Sequence, residues 1–214
     1  MNIHDLIKKS HNHEAFSKDE LVQMLSYPSH SHEALQIMAE AGRVSREVTA
    51  GRAEVHAQFA LNLAPCSCNC TFCSFAASSN IFKHNTELTP EEAVEKTVLF
   101  EKNGANAIYL MSTAGYPFER FCDIIAEIRR HISPDTILIS NVGDRSLAEA
   151  RALTQAGCRG VYHALRMREG VDTGIDPEER KQSIRNFKEA GLAVGTCVEP
   201  VGPEHTNEEL AEMI

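Results

Sequence analysis

Three segments of this chain share one construction. EKNGANAIYL, TQAGCRGVYHAL and KEAGLAVGTCVE each leave a helical end through Gly104, Gly157 or Gly191 and enter a short apolar run. Glycine just past a helix closes its last turn in the left-handed conformation, and the apolar run after it reads as a buried strand. Helix starts are equally legible: Ser17, Thr89, Ser146, Asp176 and Thr206 each stand three residues ahead of a glutamate, the pairing that satisfies orphan backbone donors. Pro90 and Pro177 take the first helical position, where the missing N–H costs nothing. With HAQFALNLA upstream, and TILISNV after a helix expected over residues 117–131, about five strands alternate with helices. Such alternation predicts an α/β fold with parallel strands and right-handed crossovers, either a (β/α) barrel or an open doubly wound sheet. No glycine-rich phosphate fingerprint follows any strand, which weighs against a nucleotide-binding Rossmann fold.

Residues 1–56 read as a helical N-terminal extension and residues 57–214 as the βα core. In the extension Leu21, Val22, Met24 and Leu25, then Ala34, Leu35, Ile37, Met38 and Ala41, recur at helical spacing and are expected to be packing faces. The last helix start, HTNEELAEMI, is followed by barely two turns, whereas a closed eight-stranded barrel typically needs about 250 residues. The expectation is a C-terminally truncated chain, part of a longer protein.

A formal charge of −9, with no basic run longer than a pair, lacks the electropositive footprint of a nucleic-acid binder. No stretch resembles a signal peptide or a membrane span, so a soluble cytoplasmic protein is expected. In that reducing compartment an odd count of seven cysteines points to metal binding or buried thiols rather than disulfides. His4, His11, His13, His30 and His32 lie in a polar region without metal-ligand spacing and read as solvated surface residues.

Four of the cysteines fall in LNLAPCSCNCTFCSFAASS, directly after the first strand, at the end where parallel sheets and barrels place their sites. Cys66, Cys70 and Cys73 have the spacing C-x3-C-x2-C, with Cys68 an extra thiol inside it. Structural zinc prefers two C-x2–4-C pairs separated by a loop, and no second pair is present. The bacterial ferredoxin spacing is not matched either. Three thiolates suit a four-iron cluster with one iron left open.

At these residues the chain resembles the radical S-adenosylmethionine (radical SAM) enzymes, whose signature is this loop after the first barrel strand with an aromatic before the last cysteine, here Phe72. The resemblance covers roughly residues 30–214 and is closest to the biotin-synthase-like branch, which includes the hydrogenase maturases of that type. It implies a partial TIM-type (β/α) barrel and a 4Fe-4S cluster on Cys66, Cys70 and Cys73. It also implies reductive cleavage of S-adenosylmethionine to a 5′-deoxyadenosyl radical, which takes hydrogen from a small-molecule substrate in cofactor biosynthesis. A reducing donor such as flavodoxin or ferredoxin is implied, and neither nucleic acid nor membrane. The rival readings are a zinc-binding module and a non-catalytic iron-sulfur scaffold.

The same resemblance distributes roles along the chain. In PEERKQSIRNFKEAGLAVGTCVEPVG, Arg180 stands eleven residues before Gly191 and would pair with the cosubstrate carboxylate. Phe72 would lie beside the adenine, Ser112 and Thr113 would offer carbonyls to the methionine amino group, and Asn141 would face the pocket. Arg166 and Glu169 are the candidates near the ribose. The auxiliary-cluster cysteines of biotin synthase are not reproduced, since the matching stretches offer only Cys197, displaced by two places. Cys197 and Glu199 are the expected catalytic pair, two residues apart on the fifth strand and hence facing the same way.

Overall fold

The structure is a computed structural model and describes residues 2–214. In chain order the elements are α1 (Ile3–His11), α2 (Lys18–Ser26), α3 (His32–Val48), β1 (His56–Ala60), β2 (Asn62–Leu63), β3 (Thr86–Glu87), α4 (Pro90–Lys102) and β4 (Ala107–Met111). Then follow α5 (Phe118–Arg129), β5 (Ile137–Asn141), α6 (Leu147–Ala156), β6 (Gly160–Tyr162), α7 (Pro177–Glu189), β7 (Ala193–Gly195) and α8 (Asn207–Met213). The chain divides into two units, residues 54–197 and residues 2–53 with 198–214.

The larger unit is a five-stranded parallel sheet in the order β1-β4-β5-β6-β7. That order follows the chain without reversal. A doubly wound sheet reverses at a switch point, so the monotonic order, with α4 to α7 as crossovers, is a partial (β/α) barrel of the TIM type. Its core joins Ile108, Leu110, Leu138 and Val161 of the strands to Phe121, Ile124, Ile125 and Ile128 on one face of α5. Leu153 of α6 and Phe187 of α7 complete it. Each such side chain removed from water contributes about 1.5–3 kcal/mol.

The boundaries follow the local chemistry. Gly104, Gly157 and Gly191 have φ of 94°, 111° and 83°, as helix exits need. Capping boxes form at Ser17, Thr89, Ser146 and Thr206, while Asp176 accepts from the nearer Glu178 N–H.

In the smaller unit α1 packs on α3 and α2 on α8, with Leu6 buried and Lys9 bonded to Glu20 at 2.6 Å. The packing faces expected in this region are only partly realised: α3 has no buried residue, and Leu35 and Met38 are 55% and 66% exposed. Helical periodicity identified the helix without saying what would cover it. No helix among the described residues is long and apolar enough to cross a membrane.

Candidate functional site

The cysteine loop spans residues 64–85 and is closed at its base by β2 and β3, which pair antiparallel through Asn62 with Glu87 and Leu63 with Thr86. Leu61 N donates to Met111 O at 2.8 Å, so the loop leaves the sheet at the C-terminal ends of β1 and β4. Inside it, Cys66 N donates to Phe75 O at 2.7 Å and Ala77 N to Cys66 O at 3.0 Å, while Cys73 N donates to Cys70 O at 3.0 Å. Asn69 sits at φ 45°, a conformation its short polar side chain tolerates, and its Oδ1 accepts from Ser78 N. Phe75 stacks on Phe82 with centroids 4.7 Å apart.

A second loop, between β6 and α7, docks against the first through two backbone hydrogen bonds. Gly174 N donates to Cys68 O at 2.6 Å, and Thr71 N to Asp172 O at 2.9 Å. A Cβ on Gly174 would lie 2.9 Å from that Cys68 oxygen, so the approach requires glycine. Neither Gly174 nor Asp172 stood out in the sequence.

Cys66, Cys68, Cys70 and Cys73 are half-buried and unbridged. Hydrogen bonding from the Cys68 thiol, and from the backbone N–H groups of Cys68 and Ala114, pulls the Cys66 thiol well below the ordinary range. The bond to Cys66 pushes Cys68 up, assisted by burial and opposed by the charge of Arg180. Burial raises Cys70, with Arg166 opposing. Among the described residues no three His, Cys, Asp or Glu side chains converge closely enough to hold a single metal ion.

The remaining predicted site residues are placed as follows. Phe72 is 43% exposed on the loop. Thr113 is engaged by buried Asn62, which accepts from its N–H at 3.0 Å and donates to its hydroxyl at 2.9 Å. The Thr113 carbonyl accepts from Tyr116. Ser112 N donates to the carbonyl of half-buried Asn141, while the Ser112 hydroxyl is buried without a partner. An orphaned buried hydroxyl costs about 1–3 kcal/mol unless something completes it. Both oxygens of Glu169 serve its own loop, accepting from Arg166 N at 2.9 Å and from the Thr173 hydroxyl at 2.6 Å.

Arg180 is not the solvated arginine that the first turn of a helix would ordinarily carry. It is 5% exposed, with Nη1 3.3 Å from His163 Nδ1 and Nε 3.0 Å from Asp144 Oδ1, the latter an ion pair out of line for a hydrogen bond. His163 Nε2 lies 2.9 Å from the same Asp144 oxygen. Burial would raise the Asp144 carboxyl, but the His163 bond and the Arg180 charge outweigh it and hold the carboxyl below its usual value. Burial lowers His163, and Asp144 only partly restores it.

Cys197 and Glu199 are not brought together by a strand. β7 ends at Gly195, because β6 offers it only three residues to pair with, so period-two alternation does not reach either residue. Cys197 is exposed and lies 2.7 Å from Tyr162 Oη. Glu199 is half-buried in the segment that groups with the helical unit.

Residues 65–214 match the family model described as the Radical SAM superfamily. The biotin synthase of Kocuria rhizophila is 26% identical over 189 residues, covering 84% of this chain and 40% of that protein. The biotin synthase of Streptomyces avermitilis is 23% identical over 221 residues, covering 99% of this chain and 56% of that one. The chain thus spans about half the length of the curated relatives it matches. Among solved structures, HydG, a maturase of the FeFe-hydrogenase, superposes with a TM-score of 0.80 at 16% identity, over 99% of this chain and 49% of that one. Methylornithine synthase (PylB) gives 0.79 at 19% identity, over 97% of this chain and 62% of that one. At such identities these two likenesses speak for the fold. The match over residues 65–214, which includes all four clustered cysteines, settles the family: this chain belongs to the radical SAM superfamily.

Proposed function

We propose that this chain forms the cosubstrate-activating part of an enzyme that acts on a small molecule in cofactor biosynthesis, by sulfur insertion or metallocofactor assembly. A 4Fe-4S cluster held by Cys66, Cys70 and Cys73 would supply the one electron that cleaves S-adenosylmethionine to methionine and a 5′-deoxyadenosyl radical, which would take a hydrogen atom from substrate. The observation that carries the reading is the loop of half-buried, unbridged thiols at the C-terminal ends of β1 and β4.

The donor set fits such a group. Cys66, Cys70 and Cys73, half-buried and unbridged on one loop, would hold it as thiolates. The Cys68 thiol, with the N–H groups of Cys68 and Ala114, favours the thiolate of Cys66, the form that ligates iron. The orphaned Ser112 hydroxyl lies at the end of β4, where a polar ligand group would complete it. Arg180, already charged and buried, would meet the carboxylate of S-adenosylmethionine, while Phe72 and Asn141 would border its adenosine. The half-buried loop would keep the ligands accessible to incoming iron.

Anaerobic reconstitution with iron and sulfide, followed by dithionite and S-adenosylmethionine, tests the reading in the full-length protein. Wild type should yield 5′-deoxyadenosine and methionine, and Cys70→Ala neither. A cluster without turnover would instead mark an iron-sulfur scaffold, and zinc without iron a zinc module.

A further inference from the structure

Two consecutive βα units together contribute three side chains to a closed set. Asp144 follows β5, His163 follows β6 directly, and Arg180 lies in the first turn of α7. His163 is 1% exposed and packs edge-on against Phe187, with ring centroids 4.9 Å apart, so its plane is fixed.

The bond directions in this set are determined by chemistry. Arginine only donates, so its Nη1–H must point at a bare His163 Nδ1. The ring proton is then on Nε2 and donates to Asp144 Oδ1. Asp144 closes the ring against Arg180 Nε and also takes a hydrogen bond from the Ser183 hydroxyl. The guanidinium is thereby held along one edge by a carboxylate and at Nη1 by a neutral imidazole, leaving Nη2 as the nitrogen that neither neighbour engages. The β6–α7 loop that leads into Arg180 is bonded to the cysteine loop at Cys68 and Thr71. A second carboxylate in place of His163 would compete with any incoming carboxylate for the same donors. A neutral ring orients the fork without cancelling its charge.

We propose that His163 is a positioning residue which, as the neutral Nε2–H tautomer bridging Asp144 and Arg180, aims the Arg180 guanidinium at the carboxylate of S-adenosylmethionine. The inference rests on the reading of Arg180 given under the proposed function.

The test is a double-mutant cycle on the cluster-loaded, full-length protein, reading the equilibrium affinity for S-adenosylmethionine with iron content as the control. His163→Phe should weaken binding by about tenfold or more, the scale of one lost bond to a charged group. His163→Gln, whose amide can both accept and donate, should recover most of it. In an Arg180→Lys background, His163→Phe should add less than about twofold, because the bond it removes is already gone. An equal loss in both backgrounds would mean that His163 only supports the fold, and an unchanged affinity in His163→Phe would mean that it does not position the arginine. Wild type that holds its cluster yet binds no S-adenosylmethionine would remove the reading of Arg180, and this proposal with it. If His163→Phe does not fold, nitrogen NMR of the wild-type imidazole decides: a bare Nδ1 and protonated Nε2 at neutral pH support the bridge, and the opposite tautomer or the cation overturns it.

Discussion

The cysteine loop and the Asp144–His163–Arg180 set belong to one unit and are built in opposite ways. The loop is half-buried, contiguous in sequence and held by backbone bonds such as Gly174 to Cys68. The charged set is drawn from three elements and held by side chains, with His163 and Arg180 buried. The difference follows from the work each can do. Thiols proposed to collect iron would have to remain reachable and free to deprotonate, and here the backbone supplies their order. A guanidinium proposed to receive a carboxylate would gain from burial, but only where partners already stabilise its charge.

The sharpest way to break this contrast is to compare what each region costs when cut. Arg180→Met leaves Asp144 as an uncompensated, largely buried charge and His163 Nδ1 without its donor, and should destabilise the protein by about 3–5 kcal/mol in denaturant unfolding. Adding Asp144→Asn should return part of that loss, since the stranded charge is then gone. For the cysteine loop the sensitive point is a glycine of the neighbouring β6–α7 loop. Gly174→Ala sets a Cβ 2.9 Å from the Cys68 carbonyl, and should cost about 1–3 kcal/mol and speed proteolysis between residues 64 and 85. If Gly174→Ala left both stability and proteolysis unchanged, the backbone dock would not be what orders the loop.

What could be read from the sequence divides along the same line. The βα alternation was legible because Gly104, Gly157 and Gly191, with the caps at Thr89, Ser146 and Asp176, are local signals whose physics needs no tertiary partner. The cysteine loop was legible for the same reason, its spacing being contiguous. The partners of Arg180 were not: Asp144 and His163 stand 36 and 17 residues before it, and only the stacking of successive βα units brings them together. Cys197 and Glu199 were assigned a shared strand face because GLAVGTCVE alternates well, yet a strand extends only as far as its neighbour pairs, and β6 stops at Tyr162. The apolar stripe of α3 shows the same limit, since periodicity does not name a partner.

A smaller effect separates the two regions by pH. His163 titrates below its ordinary 6.5 when folded, so between that folded value and 6.5 the unfolded chain binds more protons. Its contribution is therefore complete above 6.5 and is lost as pH falls below it. Asp144, depressed below its ordinary 3.8, contributes fully above that value, and its share is lost as pH falls through the lower folded one. Urea midpoints should thus fall from pH 7 to pH 5, and His163→Gln should flatten that slope while leaving the decline at more acid pH. An unaltered slope in His163→Gln would show that the histidine is not buried in its neutral form.

The smallest effect on stability is expected where the effect on function is largest. Cys70 is half-buried and its neighbours in the loop are held through their backbones, so Cys70→Ser would remove a proposed cluster ligand while keeping shape and volume. In metal-free protein its unfolding midpoint should stay within about 0.5 kcal/mol of wild type, the range of ordinary surface substitutions. The comparison must be made without iron, because a bound cluster stabilises the folded state by mass action and its loss would imitate a structural defect. Loss of iron uptake with unchanged apo stability would set Cys70 apart from Arg180. A shift as large as that of Arg180→Met would mean that the thiol is part of the loop's packing, and that the two regions are held together by the same means after all.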